Sequence, residues 1–338
     1  MSFKRFDTGD LVVSAEPVTA PVWSTNTPIL STFYTSSGQA NGSTGAYYLN
    51  VYQTGSTLSN AATQFSIAYG DMKGSGSRAY NAAIPGYSYS KTTYGQFRTL
   101  LLGDEEVNLK FGGSYEPENF YAIAIDRDRF KESLLPGTFN LQLSGSASGP
   151  AVLHLTDNSR DVTTIEYNDA GRVFQVVSGS NGSAYSGTGY TTSSGSYGLF
   201  LPDVGLILLN ADALDDNSGE GINLNTGRNS NTADNNQQKL YNRIVSQGSF
   251  QLNYQETISS QFVFTRIRNS EFNYTTNSSY ITGSGDIRIT NFINAPQTYI
   301  TTVGMYNDSN ELLAVAKLSK PLLKDFTKEA LIRIKLDF

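Results

Sequence analysis

From Gln96 to the C-terminus the chain is a run of short segments in which apolar and polar residues alternate, separated by Gly, Asn, Ser and Pro. Alternation at a period of two predicts strands with one covered face, and the punctuating residues predict tight turns. FRTLLLG, VNLKFGG and NFYAIAIDRDRF read as strands, the last with an unbroken apolar run suited to burial on both faces. TFNLQLSG and AVLHLTD continue the pattern, and TTIEYND with RVFQVVSG reads as a hairpin across Asn168–Gly171. The most apolar pair, Tyr197–Leu201 and Gly205–Asn210, turns at Pro202–Asp203 and is expected at the centre of the core. SFQLNYQET, SQFVFTRIRN and GDIRITNFI follow as further strands. TYITTVGMYNDSNELLAVAKLS reads as a hairpin whose turn is Asn307–Asn310 and whose return strand is the apolar Leu312–Leu318. Pro321, lacking an N–H, is expected to end that ladder. In the final LIRIKLDF, Leu331, Arg333, Lys335 and Asp337 alternate with Ile332, Ile334, Leu336 and Phe338. The last strand is therefore expected in a sheet, either the protein's own or one completed on a neighbour.

Helical periodicity is scarce. Asp234 stands where an N-cap belongs before NNQQKLYNRIVSQG, Leu240, Ile244 and Val245 form an apolar stripe, and Gly248 sits at the C′ position. FKESLLPG predicts one helical turn stopped by Pro136–Gly137.

The first 95 residues differ. A short strand at Leu11–Ser14 leads into Pro17, Pro21 and Pro28, and STGAYYLNVYQT and TQFSIAYGDM read as two further strands. The stretch GDMKGSGSRAYNAAIPGYSYSKTTYGQF reads as a loop. The fold expected is mainly β: an antiparallel, sandwich-like body over residues 96–338 with one or two short helices. Residues 1–95 are expected to form an extended, Pro/Gly/Ser-rich assembly region. So few aliphatic clusters hardly offset a backbone-ordering cost of about 1–2 kcal/mol per residue. Trp23, among these prolines, reads as a local core plug or as a partner anchor. With Tyr47 and Tyr48 it is a candidate interface anchor of this region, and Phe338 is the candidate at the other end, because large aromatic side chains dominate interface energetics.

Composition narrows the function classes. Charged residues make up 16% of the chain, well under the usual quarter, while Gly (31) and Tyr (21) are abundant, which favours turn-rich β-structure and broad contact surfaces. A net charge of −6 without a Lys/Arg-rich run argues against nucleic-acid binding. No cysteine is present, and His154 is the single histidine, so disulfides, thiolate chemistry and histidine-cluster metal sites are excluded. No apolar run approaches the ~20 residues of a membrane-spanning helix, and the start carries no apolar core of an export signal. Folding in a cytoplasm without export is expected.

Candidate chemistry is thin. The Gly-rich stretches Gly74–Ser77 and Gly187–Gly198 lack the Lys-Ser/Thr of a phosphate loop and read as turns. Asp212, Asp215, Asp216 and Glu220 offer oxygen ligands without the spacing of a Ca²⁺ loop, and read as a solvated loop. GYSYS and GSNGS do not supply a nucleophile elbow. His154 lies between Leu153 and Leu155, so alternation turns it to the opposite side, where it reads as an exposed strand residue. Paired carboxylates for glycoside cleavage need geometry rather than a linear motif, and no pair stands out. The expectation is a protein with no catalytic residue, metal or cofactor.

The most specific signal is the C-terminal stretch FVFTRIRNSEFNYTTNSSYITGSGDIRI with INAPQTYITTVGMYNDSNELLAVAKLSKPLLKDFTKEALIRIKLDF. It resembles virion structural proteins of T-even-like contractile-tailed phages, particularly those of marine cyanobacteria. YGQFRTLLLGDEE, GRVFQVVSGSNGSAYSGTGY and GSYGLFLPDVGLILLN are similar to phrases from the same group. The resemblance implies a virion component of the tail, first of all the baseplate. Its partners would be other tail proteins and copies of itself, and it implies no catalytic residue. A receptor- or glycan-binding tail-fibre module is the second reading, a glycan-degrading spike the third.

Overall fold

The computed structural model describes residues 4–36, 48–76, 81, 83–84, 88–145, 151–185, 194–216, 220–228 and 235–337. The fold is mainly β and antiparallel, with 43% of residues in strands against 13% in helices. The chain divides into two compact units, Val18–Glu256 and Met1–Pro17 with Thr257–Phe338.

The Val18–Glu256 unit is built on one large curled sheet. Its central strands are β5 (Thr63–Asp71), β6 (Asn119–Ile125), β13 (Gly198–Leu201) and β14 (Leu206–Asn210). NFYAIAI and LILLN are buried at almost every position because both faces are covered. One parity of side chains, Tyr121, Ile123, Ile125, Ile207 and Leu209, enters the larger core; the other, Phe120, Ala122, Leu206 and Leu208, enters a second core. Helix α1 (Tyr89–Leu102) covers the second core with Tyr94, Phe97 and Leu101. The short helix α2 (Ala211–Asp215) and helix α3 (Asn236–Gln247) cover the first through Leu214, Leu240 and Ile244.

The sheet continues through β8 (Asn140–Ser144), β9 (Val152–Asp157) and β11 (Gly171–Ser180), and curls into a half-barrel. Curling brings aromatic rings from distant strands together. Phe139 stacks on Phe200 at 5.4 Å, and Phe65 meets Phe250 edge-on at 5.3 Å. The hairpin of β10 (Glu166–Asn168) with β11 turns where expected, Asn168 opposite Gly171. β13 and β14 lie in the core and turn at Pro202–Asp203, where the chain reaches the surface at Val204, 38% exposed; Gly198 stands at the other end of the pair, opposite Leu209. A glycine is required at 198: it has φ +156°, and a Cβ would lie 1.9 Å from the Leu208 carbonyl oxygen.

The expected boundary after residue 95 is not where the chain divides. β2 (Ile29–Leu30), β3 (Tyr34–Thr35), β4 (Tyr48–Tyr52) and β5 all belong to the large sheet. Leu49, Val51, Phe65 and Ile67 are fully buried in its main core. The segment looks poor in aliphatics because each of its strands contributes only a few, and aromatic rings fill the remaining volume.

Four local expectations are corrected. FRTLLLG and the end of the preceding stretch are helix α1, not a strand and a loop, with Tyr94, Phe97 and Leu101 at helical spacing and Gly103 in the left-handed cap at φ +61°. VNLKFGG holds only an isolated bridge, Phe111 to Tyr115. FKESLLPG contributes β7 (Ser133–Leu134), while the single turn lies earlier, at Arg127–Arg129, capped by Asp126. GDIRITNFI gives an isolated bridge and helix α4 (Thr290–Asn294) rather than a strand. In α3, Gly248 caps as expected at φ +63°, Leu240 and Ile244 are buried, but Val245 is 40% exposed; Asp234 lies outside the described residues.

The second unit contains β1 (Leu11–Pro21, its first seven residues), most of β16 (Asn253–Ile267), β17 (Thr298–Tyr306), β18 (Leu312–Lys324) and β19 (Ala330–Asp337). β19 pairs with β16 from Ser260↔Asp337 to Ile267↔Ala330, so the final strand closes the protein's own sheet. Its alternation is as expected, with Leu331, Arg333, Lys335 and Asp337 exposed. β17 and β18 form the expected hairpin. Pro321 does not end it: the register jumps from Thr302↔Lys317 to Ile300↔Leu322, so the proline sits in a bulge that asks nothing of its missing N–H.

Candidate functional site

The Met1–Pro17/Thr257–Phe338 unit has an unusual balance of covered and uncovered apolar side chains. Its buried hydrophobic residues are Val263, Ile267, Ala330 and Ile332, with Ile300, Val303, Leu318 and Ile334 partly buried around them. Against these few stand Leu11, Val12 and Val13 on β1, which are 47, 45 and 63% exposed. Successive strand residues point to opposite faces, so three exposed in a row mean that neither face is covered there. On β18, Leu312, Leu313 and Val315 are 53, 62 and 58% exposed. Among the described residues, β16 is the one strand that pairs with β1, which leaves the other edge of β1 open. An exposed apolar edge strand is a template for pairing with another chain.

Polar anchoring in this unit is local and firm. Lys324 is buried on β18, and its ammonium donates to the carbonyls of Asn269 (2.8 Å) and Glu271 and to the Asn273 side chain. Burial pushes its pKa down. Each N–H of the ammonium has an acceptor, so the loop 269–273 is tied to the hairpin. Lys335 on β19 pairs with Asp337 at 3.2 Å and Glu16 at 3.4 Å.

The Val18–Glu256 unit carries its own polar network. Asp71, at the end of β5, is fully buried and accepts from the Arg228 guanidinium at 2.9 Å, while Arg228 also reaches Glu118 at 3.0 Å. Lys73 pairs with Glu118 at 2.7 Å, and these two cations hold the Glu118 carboxyl below its ordinary range. Asp71 further accepts N–H donors from Lys73 and Ser75, so its lone pairs are used in fixing a turn. Nearby, Asp215 accepts from the Thr226 amide and hydroxyl at 2.9 Å each, and burial raises its pKa. Asp212 accepts from the Tyr115 hydroxyl at 2.7 Å; burial and this carboxylate push the Tyr115 pKa up to about 12. The acidic stretch is thus not simply solvated, since Asp212 and Asp215 fasten loops to the core. Among the described residues, no group of three or more His, Asp or Glu side chains is placed to hold a metal ion.

The four aromatic candidates part company. Trp23 is 1% exposed; its ring lies 4.9 Å from Phe250 and 6.1 Å from Phe65, and its Nε1 donates to the Pro28 carbonyl at 3.1 Å. It is a core residue, and one of the prolines that made its segment look extended, Pro28, accepts its N–H. Tyr48 opens β4 opposite Ala68 and is 47% exposed, available to a partner. Tyr47 and Phe338 lie outside the described residues. His154 is half-buried, paired opposite Gln142, with its ring 6.2 Å from Tyr185, while Leu153 and Leu155 are buried on the other side as alternation required. The sequence had one signal for the uncovered surface that the reading passed over: LVV and LLAVA are apolar at consecutive positions, so one face always remains to be covered.

Comparison with protein-family models, with curated proteins and with solved structures finds no match.

Proposed function

We propose that this chain is a structural subunit of a bacteriophage contractile tail, first of all of the baseplate, and that it works by protein–protein assembly rather than catalysis. The observation that carries the assembly reading is the Met1–Pro17/Thr257–Phe338 unit, where Leu11, Val12, Val13, Leu313 and Val315 stand uncovered beside a small buried cluster. These five side chains are about half exposed, so covering them fully is worth about 4–8 kcal/mol before the costs of association. The tail assignment is supported by the resemblance of FVFTRIRN, TVGMYNDSNELLAVAKL and LIRIKLDF to phage virion proteins. The Val18–Glu256 unit, with two cores and the buried Asp71 carboxylate held by Arg228, would supply stability of its own.

A fibre module that binds glycans is the second reading. It is favoured by Tyr167 and Tyr185, 71 and 64% exposed, on or beside strands that pair with β11. Sugar rings stack on such exposed aromatic faces.

Mass spectrometry of purified virions, with tails separated from heads, tests the proposal. The chain is expected in the tail fraction at a fixed ratio to other tail proteins. Its absence from particles made in cells that express it would overturn the proposal, and blocking of phage adsorption by the free chain at micromolar concentration would favour the fibre reading.

A further inference from the structure

Charges of opposite sign, each set beside exposed apolar side chains, occur on the two units. On β18, Leu313, Val315 and Lys317 follow at intervals of two and share one face of the strand. Lys317 and the nearby Lys320 are exposed, and among the described residues neither is in an ion pair. In the Val18–Glu256 unit, helix α1 borders a surface depression of about 660 Å³ lined by Thr92, Gln96, Arg98, Thr99, Leu100 and Glu105. Leu100 and the neighbouring Val107 are 45 and 48% exposed. Between them Asp104, Glu105 and Glu106 are exposed, again with no ion pair among the described residues. The whole-chain balance has the same sense. Of the 24 basic and 30 acidic side chains, the Met1–Pro17/Thr257–Phe338 unit holds 11 and 10, which leaves +1 there and −7 on the other unit.

We infer that a second copy of this chain is the occupant of this surface. The Leu313–Val315–Lys317 face of one copy, with Lys320, seats against the α1 depression of the next, the lysines facing Asp104, Glu105 and Glu106. Apolar contact between Leu313, Val315, Leu100 and Val107 supplies attraction, and the opposed charges set orientation and partner choice. The two patches differ, so each contact joins unlike surfaces, as in a two-fold dimer that pairs both or a head-to-tail ring. This rests on the assembly reading and names its first partner.

Sedimentation of the full chain at about 0.05 M and about 0.5 M salt tests it, since exposed pairs are screened at the higher value. Wild type is expected to self-associate, more weakly at high salt. Lys317→Glu with Lys320→Glu, and separately Glu105→Lys with Glu106→Lys, are each expected to weaken association at least about tenfold. All four substitutions in one chain are expected to restore it, with circular dichroism unchanged throughout. A wild type that stays monomeric at about 100 μM overturns the inference, as does either pair of substitutions without effect, or a four-substitution chain that folds but does not reassociate. A monomeric chain still found in virion tails would sink this contact alone, whereas a self-associating chain absent from virions would sink the tail assignment alone.

Discussion

Replacing Trp23 by Ala separates a core residue from an interface anchor. The indole is closed in by Phe65, Phe250 and Phe33's neighbours in the main core, with 1% of its surface exposed. Truncating a fully buried Trp to Ala removes the transfer energy of the ring and leaves a cavity, a loss of about 3–5 kcal/mol. Of this, about 1 kcal/mol reflects the Nε1 bond to the Pro28 carbonyl. In a unit of this size the expected fall in Tm is on the order of 10 °C. Trp23→Phe keeps most of the apolar volume and loses the bond, so it should fall between, at about 1–2 kcal/mol. Urea unfolding of the isolated chain, followed by circular dichroism, measures both. Because Trp23 is the single tryptophan, its emission in the wild type reports this site alone and should be that of an indole shielded from water. An Ala variant as stable as wild type, or a water-like emission before denaturant is added, would refute the burial and return Trp23 to the interface.

Three further outcomes follow from the structure. Limited proteolysis of the free chain should leave β2, β3, β4 and β5 within the resistant core, since they are strands of the large sheet; a stable fragment beginning near Gln96 would show that they are not. Asp157 is fully buried, accepts N–H donors from Gly137 and Ser159, and burial raises its pKa above the ordinary 3.8. The folded protein then holds a proton that the unfolded chain releases, so this carboxyl's contribution to stability falls as pH rises from 3.8 through the folded value. The unfolding free energy of wild type minus that of Asp157→Asn should slope downward over that interval, and an upward slope would contradict the assignment. Lys324→Met leaves the Asn269 and Glu271 carbonyls and the Asn273 side chain without their donor, at a cost of about 1–3 kcal/mol; hydrogen exchange in 268–273 should speed up, and unchanged exchange would mean that the ammonium does not hold the loop.

Legibility of the fold tracked how local each determinant is. The hairpins at Asn168–Gly171, Pro202–Asp203 and Asn307–Asn310 could be read because turn residue and flanking alternation lie within a few positions of each other. Gly248 was legible for the same reason. Helix α1 was not: Gly95, Thr92 and Thr93 are poor helix residues, and FRTLLL taken by itself has the look of a buried strand. What makes it helical is the spacing of Tyr94, Phe97 and Leu101, which meets a sheet face that only the tertiary fold supplies. Pro321 misled because a proline within a strand signals either an end or a bulge, and the partner's register decides which. The boundary after residue 95 failed because β2 and β15 (Phe250–Gln251) pair across more than two hundred residues, a partnership with no local trace. Tyr48, an interface candidate of the other unit, is an exposed aromatic, whereas at the candidate site Leu11–Val13 and Leu313–Val315 were read as ordinary strand residues. Consecutive apolar positions mark a strand that needs cover on both faces, but only the structure shows how little cover this unit provides.

The account's central claim is that this chain assembles through the uncovered strands of its Met1–Pro17/Thr257–Phe338 unit. Hydrogen–deuterium exchange of the free chain against the chain in purified tails tests it most directly. The account predicts slower exchange on assembly in peptides covering Leu11–Val13 and Leu312–Val315, with the central strands β6 and β14 protected in both states. Equal exchange of those two segments in the free and assembled states would contradict it.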